Sequence, residues 1–119
     1  MPRVNRYART GITRPFPGAL EMMVLQCLRR EPMHGYRLAQ TIGQNSDDLL
    51  QVEEGSLYPA LQRMLKAGWL SAEWGVSASN RRVRVDRITP EGRKRLEGEV
   101  SRFGRMIEGI SRVMKPVRP

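Results

Sequence analysis

Arg81, Arg82, Arg84 and Arg87 crowd one short stretch, with Asp86 the one acid among them. Ahead of them, Ser56, Tyr58, Gln62, Arg63 and Lys66 recur along one side of a segment whose other side is apolar. These side chains bring hydrogen-bonding groups, positive charge and one aromatic ring. Glutamine can pair with adenine and arginine with guanine, and the planar guanidinium fork matches phosphate. They are poor tools for making or breaking bonds. The carboxylates of the chain are dispersed, and no nucleophile–base pair, metal-ligand cluster or phosphate-cradling glycine loop is evident. The reading is a binding protein rather than an enzyme, with no catalytic residues, no metal and no cofactor expected.

Composition points the same way. Lys+Arg is 21 against Asp+Glu 12, for a formal charge of +9 and a pI near 11.0 over 119 residues. A charge of that size favours a polyanionic partner. The length suits one domain with its own core. The single cysteine, Cys27, sits in an apolar run and reads as a buried thiol; the single histidine, His34, has no companions at metal-ligand spacing. No apolar run approaches membrane-spanning length and no secretion signal is apparent, so a cytoplasmic protein is expected.

The elements that must hold these side chains follow from periodicity. Residues 1–17, with Arg3, Arg6, Arg9 and Arg14 and no acid, predict a basic flexible arm able to reach along a groove. A first helix over 18–31 has a core stripe of Leu20, Met23, Val24, Cys27 and Leu28. A second, over 33–43, has Leu38, Ala39 and Ile42 facing in, with His34 and Tyr36 at its start; either can contact a phosphate, and the alternative for His34 is a local cap or packing role. Residues 45–52 read as a connection with one short strand.

The central segment is 53–68. Ser56 is expected to be its N-cap, which places Pro59 in the first turn, where a missing N–H costs little. Leu57, Ala60, Leu61, Met64 and Leu65 form the apolar stripe, and Gly68 ends the helix. After Gly68 the period changes to 2. Strands over 69–74 and 82–88, joined by the polar loop 75–81, predict a hairpin with Leu70, Ala72 and Trp74 on one side and Val83 and Val85 on one side. Ile88 breaks the parity, so a bulge or strand end is expected near Asp86. Trp69 and Trp74 are expected to be buried as hairpin core, the alternative being that they line a ligand pocket.

Thr89-Pro90-Glu91 opens the last helix. Leu96, Val100, Phe103, Ile107, Ile110 and Met114 follow at heptad spacing. Gly98, Gly104 and Gly109 each weaken it by roughly 1 kcal/mol relative to alanine, so it needs a partner surface. A second copy of the chain is the expected one.

From Gly18 to about Met114 the chain resembles the PadR family of bacterial transcriptional regulators. The segments that carry the resemblance are GALEMMVLQCL, HGYRLAQTI, VEEGSLYPALQRMLKAGWL, the NRR of the hairpin and ITPEGRKRL. The resemblance implies a mostly helical α+β protein. Residues 18–88 would be a winged helix-turn-helix and 89–115 a C-terminal dimerisation helix, with 116–119 a tail. It implies a homodimer, usually a repressor, released in some members by a small-molecule effector. By position, Ser56, Tyr58 and Pro59 match the family's recognition-helix start, Tyr36 the tyrosine of its second helix, and Asn80, Arg81 and Arg82 the basic wing. One departure stands out: Val85 and Asp86 occupy a place where the family often has two tyrosines. Asp86 therefore sits near the expected DNA face, either neutralised by an arginine or pointing away.

Together these readings predict double-stranded DNA as the partner. Gln62 and Arg63 would reach base edges, and Ser56, Tyr58, Lys66, Arg81 and Arg82 would contact phosphate. The bland alternative for each is a solvated polar face. The competing function is a winged helix that binds RNA or docks a protein.

Overall fold

The computed structural model describes residues 18–116. The basic lead and the last three residues of the tail lie outside the described residues. The element order is α1 (Ala19–Arg30), β1 (Met33–His34), α2 (Gly35–Asn45), α3 (Glu54–Lys66), β2 (Leu70–Val76), β3 (Arg82–Ile88) and α4 (Pro90–Met114). This is the predicted mostly helical α+β architecture of a winged helix-turn-helix, with a three-stranded antiparallel sheet in place of a bare hairpin.

One core joins all four helices to the sheet. Val24 and Leu28 of α1, Leu38 of α2, Leu61 of α3, Leu70 of β2 and Leu96 of α4 belong to one buried cluster. Each such side chain contributes about 1.5–3 kcal/mol of burial. The sequence stripes supply most of this cluster. Leu25, fully buried, lies outside the stripe expected for α1, and Leu20 and Met23 are only partly buried against the core. Glu21 in the first turn of α1 and Arg29 and Arg30 in the last match the helix dipole.

The start of α3 differs from expectation. The helix begins at Glu54, and the Glu53 carbonyl accepts from Ser56 N and Leu57 N, both at 3.0 Å. Ser56 lies inside the first turn rather than capping it, and no side chain caps this end. Pro59 consequently falls in the second turn, where its missing N–H removes the intrahelical donor for the Gly55 carbonyl. Gly55 is exposed, so water can satisfy that carbonyl.

Sheet order is β1-β3-β2, with β3 in the middle. β2 and β3 pair without interruption from Leu70↔Ile88 to Val76↔Arg82. The bulge expected near Asp86 is absent, and Asp86 instead pairs in register with both Ala72 and Met33. The regular ladder puts Arg84, Asp86 and Ile88 on the same face as Leu70, and turns Val83 and Val85 to the other. β1 is invisible to periodicity because two residues carry no period.

The base of the hairpin is tied to both flanking helices. Gly68 ends α3 in the left-handed conformation, φ 83°, as the C′ position favours. Thr89 Oγ1 donates to the Gly68 carbonyl at 2.6 Å and accepts from Gly92 N at 3.0 Å, capping α4. The GW and TPEG segments thus form one junction.

The first part of α4 packs on α1, and Leu96, 2% exposed, belongs to the core of its own subunit. This corrects its assignment to a dimer seam. From Val100 onward the helix leaves the body. Val100, Ile107, Ile110 and Met114 are exposed, Phe103 is half-exposed, and Met106 and Val113 widen the same apolar face.

Candidate nucleic-acid interface

A groove of about 1020 Å³ runs between α3, the start of α2 and the hairpin. Tyr58 and Gln62, one turn apart, form its α3 wall; Trp74, Arg82 and Arg84 form the hairpin wall. Tyr36 lies at the α2 end and is exposed.

Local chemistry explains each placement. A Cβ on Gly35 would come 2.9 Å from Tyr58 Cε1, so a glycine there lets the Tyr58 ring rest on the start of α2. This close approach links the HGY and SLYP segments. His34 Nδ1 accepts from Arg37 N at 3.4 Å, so of its two expected roles it takes that of the α2 N-cap. Ser77 closes the hairpin loop. Its N–H donates to the Arg81 carbonyl at 2.8 Å, and its Oγ accepts from Arg81 N at 3.2 Å. Asn80 is left-handed, φ 63°, a conformation asparagine tolerates well. Its first duty is to the turn.

The two tryptophans part company. Trp69 packs partly buried against the core, with the Arg95 guanidinium 4.5 Å from its ring centroid. Trp74, against the expectation of a place in the hairpin core, is 63% exposed. The Arg82 guanidinium stands 4.5 Å over its ring, so the indole props that cation up at the rim of the groove.

Beneath them lies Asp86, 1% exposed, with neither carboxylate oxygen hydrogen-bonded. Arg84 Nε is 3.6 Å from Asp86 Oδ1, near enough for charge attraction and too far for a hydrogen bond. Burial pushes the Asp86 carboxyl up from its ordinary range, and the Arg84 charge partly opposes this. Among the described residues Asp86 is the one carboxylate lining the groove, and it is sealed from solvent. The accessible charge of the groove is therefore positive.

The other residues singled out in α3 stand apart. Ser56, Pro59, Arg63 and Lys66 are exposed but do not line the groove. Arg63 donates from Nη2 to Glu21 Oε2 on α1 at 3.3 Å. Arg81 lines the groove at the hairpin tip. Sequence reasoning undervalues Arg84 and Trp74. The parity break at Ile88 is the available signal for Arg84: without a bulge it turns positions 84 and 86 to the face of Leu70. Cys27 is buried, and burial raises its thiol pKa. No cluster that could hold a metal ion is present among the described residues, and no helix there is long and apolar enough to cross a membrane.

Cationic, amide and aromatic groups are thus gathered around a concave surface next to an exposed helix. Known proteins share this fold. The chain is similar to a transcriptional regulator from Clostridium thermocellum, at 26% identity and TM-score 0.76, covering 83% of this chain and 96% of that one. It is similar to a PadR-like transcriptional regulator from Bacillus cereus, at 25% identity and TM-score 0.72, covering 85% and 96%. A PadR family transcriptional regulator from Eggerthella lenta matches at 28% identity and TM-score 0.71, covering 85% and 86%. The transcriptional regulator PadR-like family matches residues 24–98, which span α1 from Val24 through the first third of α4. The chain belongs to the PadR-like family of transcriptional regulators.

Proposed function

We propose that this regulator is a homodimeric repressor that binds a two-fold symmetric DNA operator. α3 lies in the major groove and the hairpin acts as a wing over the adjacent backbone. One observation carries the reading: α3 and the arginine-bearing hairpin flank a single groove in which the one lining acid among the described residues is buried. A phosphate strand can lie there without meeting an accessible carboxylate. Arg81 and Arg82 supply phosphate contacts from the wing, and Tyr36 and Tyr58 contact sugar and phosphate at the α2 end. Gln62 reaches base edges. Arg63, Ser56 and Lys66 approach the flanking backbone from the exposed side of α3, Arg63 by giving up Glu21.

Two copies joined through α4 place their recognition helices about one helical turn apart, roughly 34 Å, on one face of the duplex. The apolar face of α4 beyond Val100 supports this assembly, since an exposed helix of that kind is marginal alone.

The test is the affinity of the full chain for a selected duplex as a function of salt. Replacing Arg81 and Arg82 by alanine should flatten the slope of log affinity against log salt by about one unit for each phosphate no longer neutralised. An unchanged slope removes the wing from the interface. Duplex RNA should compete poorly, because its deep, narrow major groove excludes a helix; equal competition would favour an RNA-binding module.

A further inference from the structure

We infer that Arg84, anchored on the buried Asp86, is a positioning residue that turns the Gln62 amide so that its NH2 faces the DNA, making guanine rather than adenine the base it selects. The inference rests on the proposed insertion of α3 into the major groove and adds to it a rule for one operator position.

Arg84 stands on the inner face of β3 and its side chain is 32% exposed. Its guanidinium bridges two groups: Nε lies 3.6 Å from Asp86 Oδ1, and Nη1 donates to Gln62 Oε1 at 3.4 Å. Asp86 is well fixed, on the central strand and in register with Met33 and Ala72. A buried carboxylate without hydrogen bonds needs its cation nearby, so Arg84 is held by the fold rather than by chance. Arginine has donors and no acceptor, so the Gln62 atom that faces it must be the oxygen, whichever way the amide is drawn.

The consequence is chemical. A free glutamine pairs with adenine by accepting from N6 and donating to N7. With its oxygen turned to Arg84, Gln62 presents two donors to the groove. Guanine offers two acceptors there, N7 and O6; adenine sets a donor beside its acceptor, and cytosine offers a donor. The arrangement therefore favours guanine and opposes cytosine. It revises the adenine pairing that residue type alone suggests for Gln62.

The experiment is binding-site selection from a randomised two-fold duplex library, using the full chain, followed by affinity ratios on single-base variants. Wild type should select guanine at one position in each half-site, and Gln62→Ala should erase that preference. Arg84→Met frees the amide and should move the guanine-to-adenine affinity ratio toward adenine by about tenfold. Arg84→Met strands Asp86, so the Arg84→Met/Asp86→Leu pair serves as a second variant that removes both charges, with melting curves to confirm folding. Gln62→Glu acts from the exposed end: its carboxylate stays with Arg84, has no donor for guanine, and should shift selection toward cytosine.

If both Arg84 variants fold and keep the wild-type ratio, the positioning role is overturned while the DNA-binding reading stands. If Gln62→Ala alters no position, Gln62 reads no base and the inference falls, again without harm to that reading. If wild type selects no duplex at all, the proposed function itself fails.

Discussion

Asp86 shows how a single residue can run against its type and still be placed by simple geometry. Carboxylates are rarely fully buried unless paired, so a sequence reader moves a strand's parity before burying one. The apolar pair Val83 and Val85 reinforces that choice. The ladder decides otherwise, because Ile88 must face Leu70 and the core, and alternation then carries Asp86 and Arg84 inward with it. The cost appears as a titration. Burial raises the Asp86 pKa above its ordinary 3.8, with Arg84 acting in the opposite sense. The folded protein therefore holds this proton more tightly than the unfolded chain. Stability from this group is greatest below 3.8 and is lost as pH rises through the raised folded value. Asp86→Asn removes the titration, so the stability difference, variant minus wild type, should grow from acid to neutral pH. Urea titrations at several pH values measure this; parallel pH profiles for the two proteins would show that the carboxylate is not strained by burial.

At the scale of elements, the helices and the two long strands are legible because each carries a period long enough to read. Gly68, Thr89 and Pro90 mark their junctions by turn and cap chemistry that needs no tertiary knowledge. What stays hidden depends on contact between segments far apart in sequence: β1, the exposure of Trp74, and the seat of Tyr58 on Gly35. The last of these joins α2 to α3 and can be tested. Gly35→Ala would place a methyl 2.9 Å from the Tyr58 ring, and overpacking of that kind costs about 1–3 kcal/mol. Helix propensity pulls the other way by up to about 1 kcal/mol. In wild type the clash should win, giving a net loss. In a Tyr58→Ala background the ring is gone, and the same substitution should be neutral or stabilising. A double-mutant cycle from denaturation curves isolates the coupling, expected at about 1 kcal/mol or more. Zero coupling would mean that the ring is not seated on α2 in solution, and that the groove's α3 wall is not fixed from that side.

For the whole molecule the question is what covers α4. At ~1.5 Å per residue, its 25 residues reach about 38 Å, far more than is needed to pack on α1. The heptad spacing from Val100 to Met114 is legible, but it draws Leu96 into the same pattern although that residue serves the subunit's own core. Met106 and Val113 fall outside the spacing, though they stand on the same exposed face. A face this apolar on a chain with a formal charge of +9 needs a partner whose charge does not oppose it. A second copy would meet that condition if apolar side chains dominate the contact, and two arginines of the helix have acids beside them: Arg102 has Glu99 at 2.6 Å, shared with Arg95, and Arg112 has Glu108 at 3.4 Å. The substitution Ile107→Glu, or Ile110→Glu, places like charges across such a two-fold seam while leaving the buried cluster around Leu61 and Leu96 untouched. Sedimentation should show the proposed dimer replaced by monomer, with the near-ultraviolet signal of the body retained. Affinity for a two-fold operator should fall by at least about 10²-fold, because the second half-site is no longer held at high effective concentration. Affinity for an isolated half-site should hardly change. A variant that remained dimeric and kept full operator affinity would move the subunit contact off α4, and with it the spacing expected between half-sites.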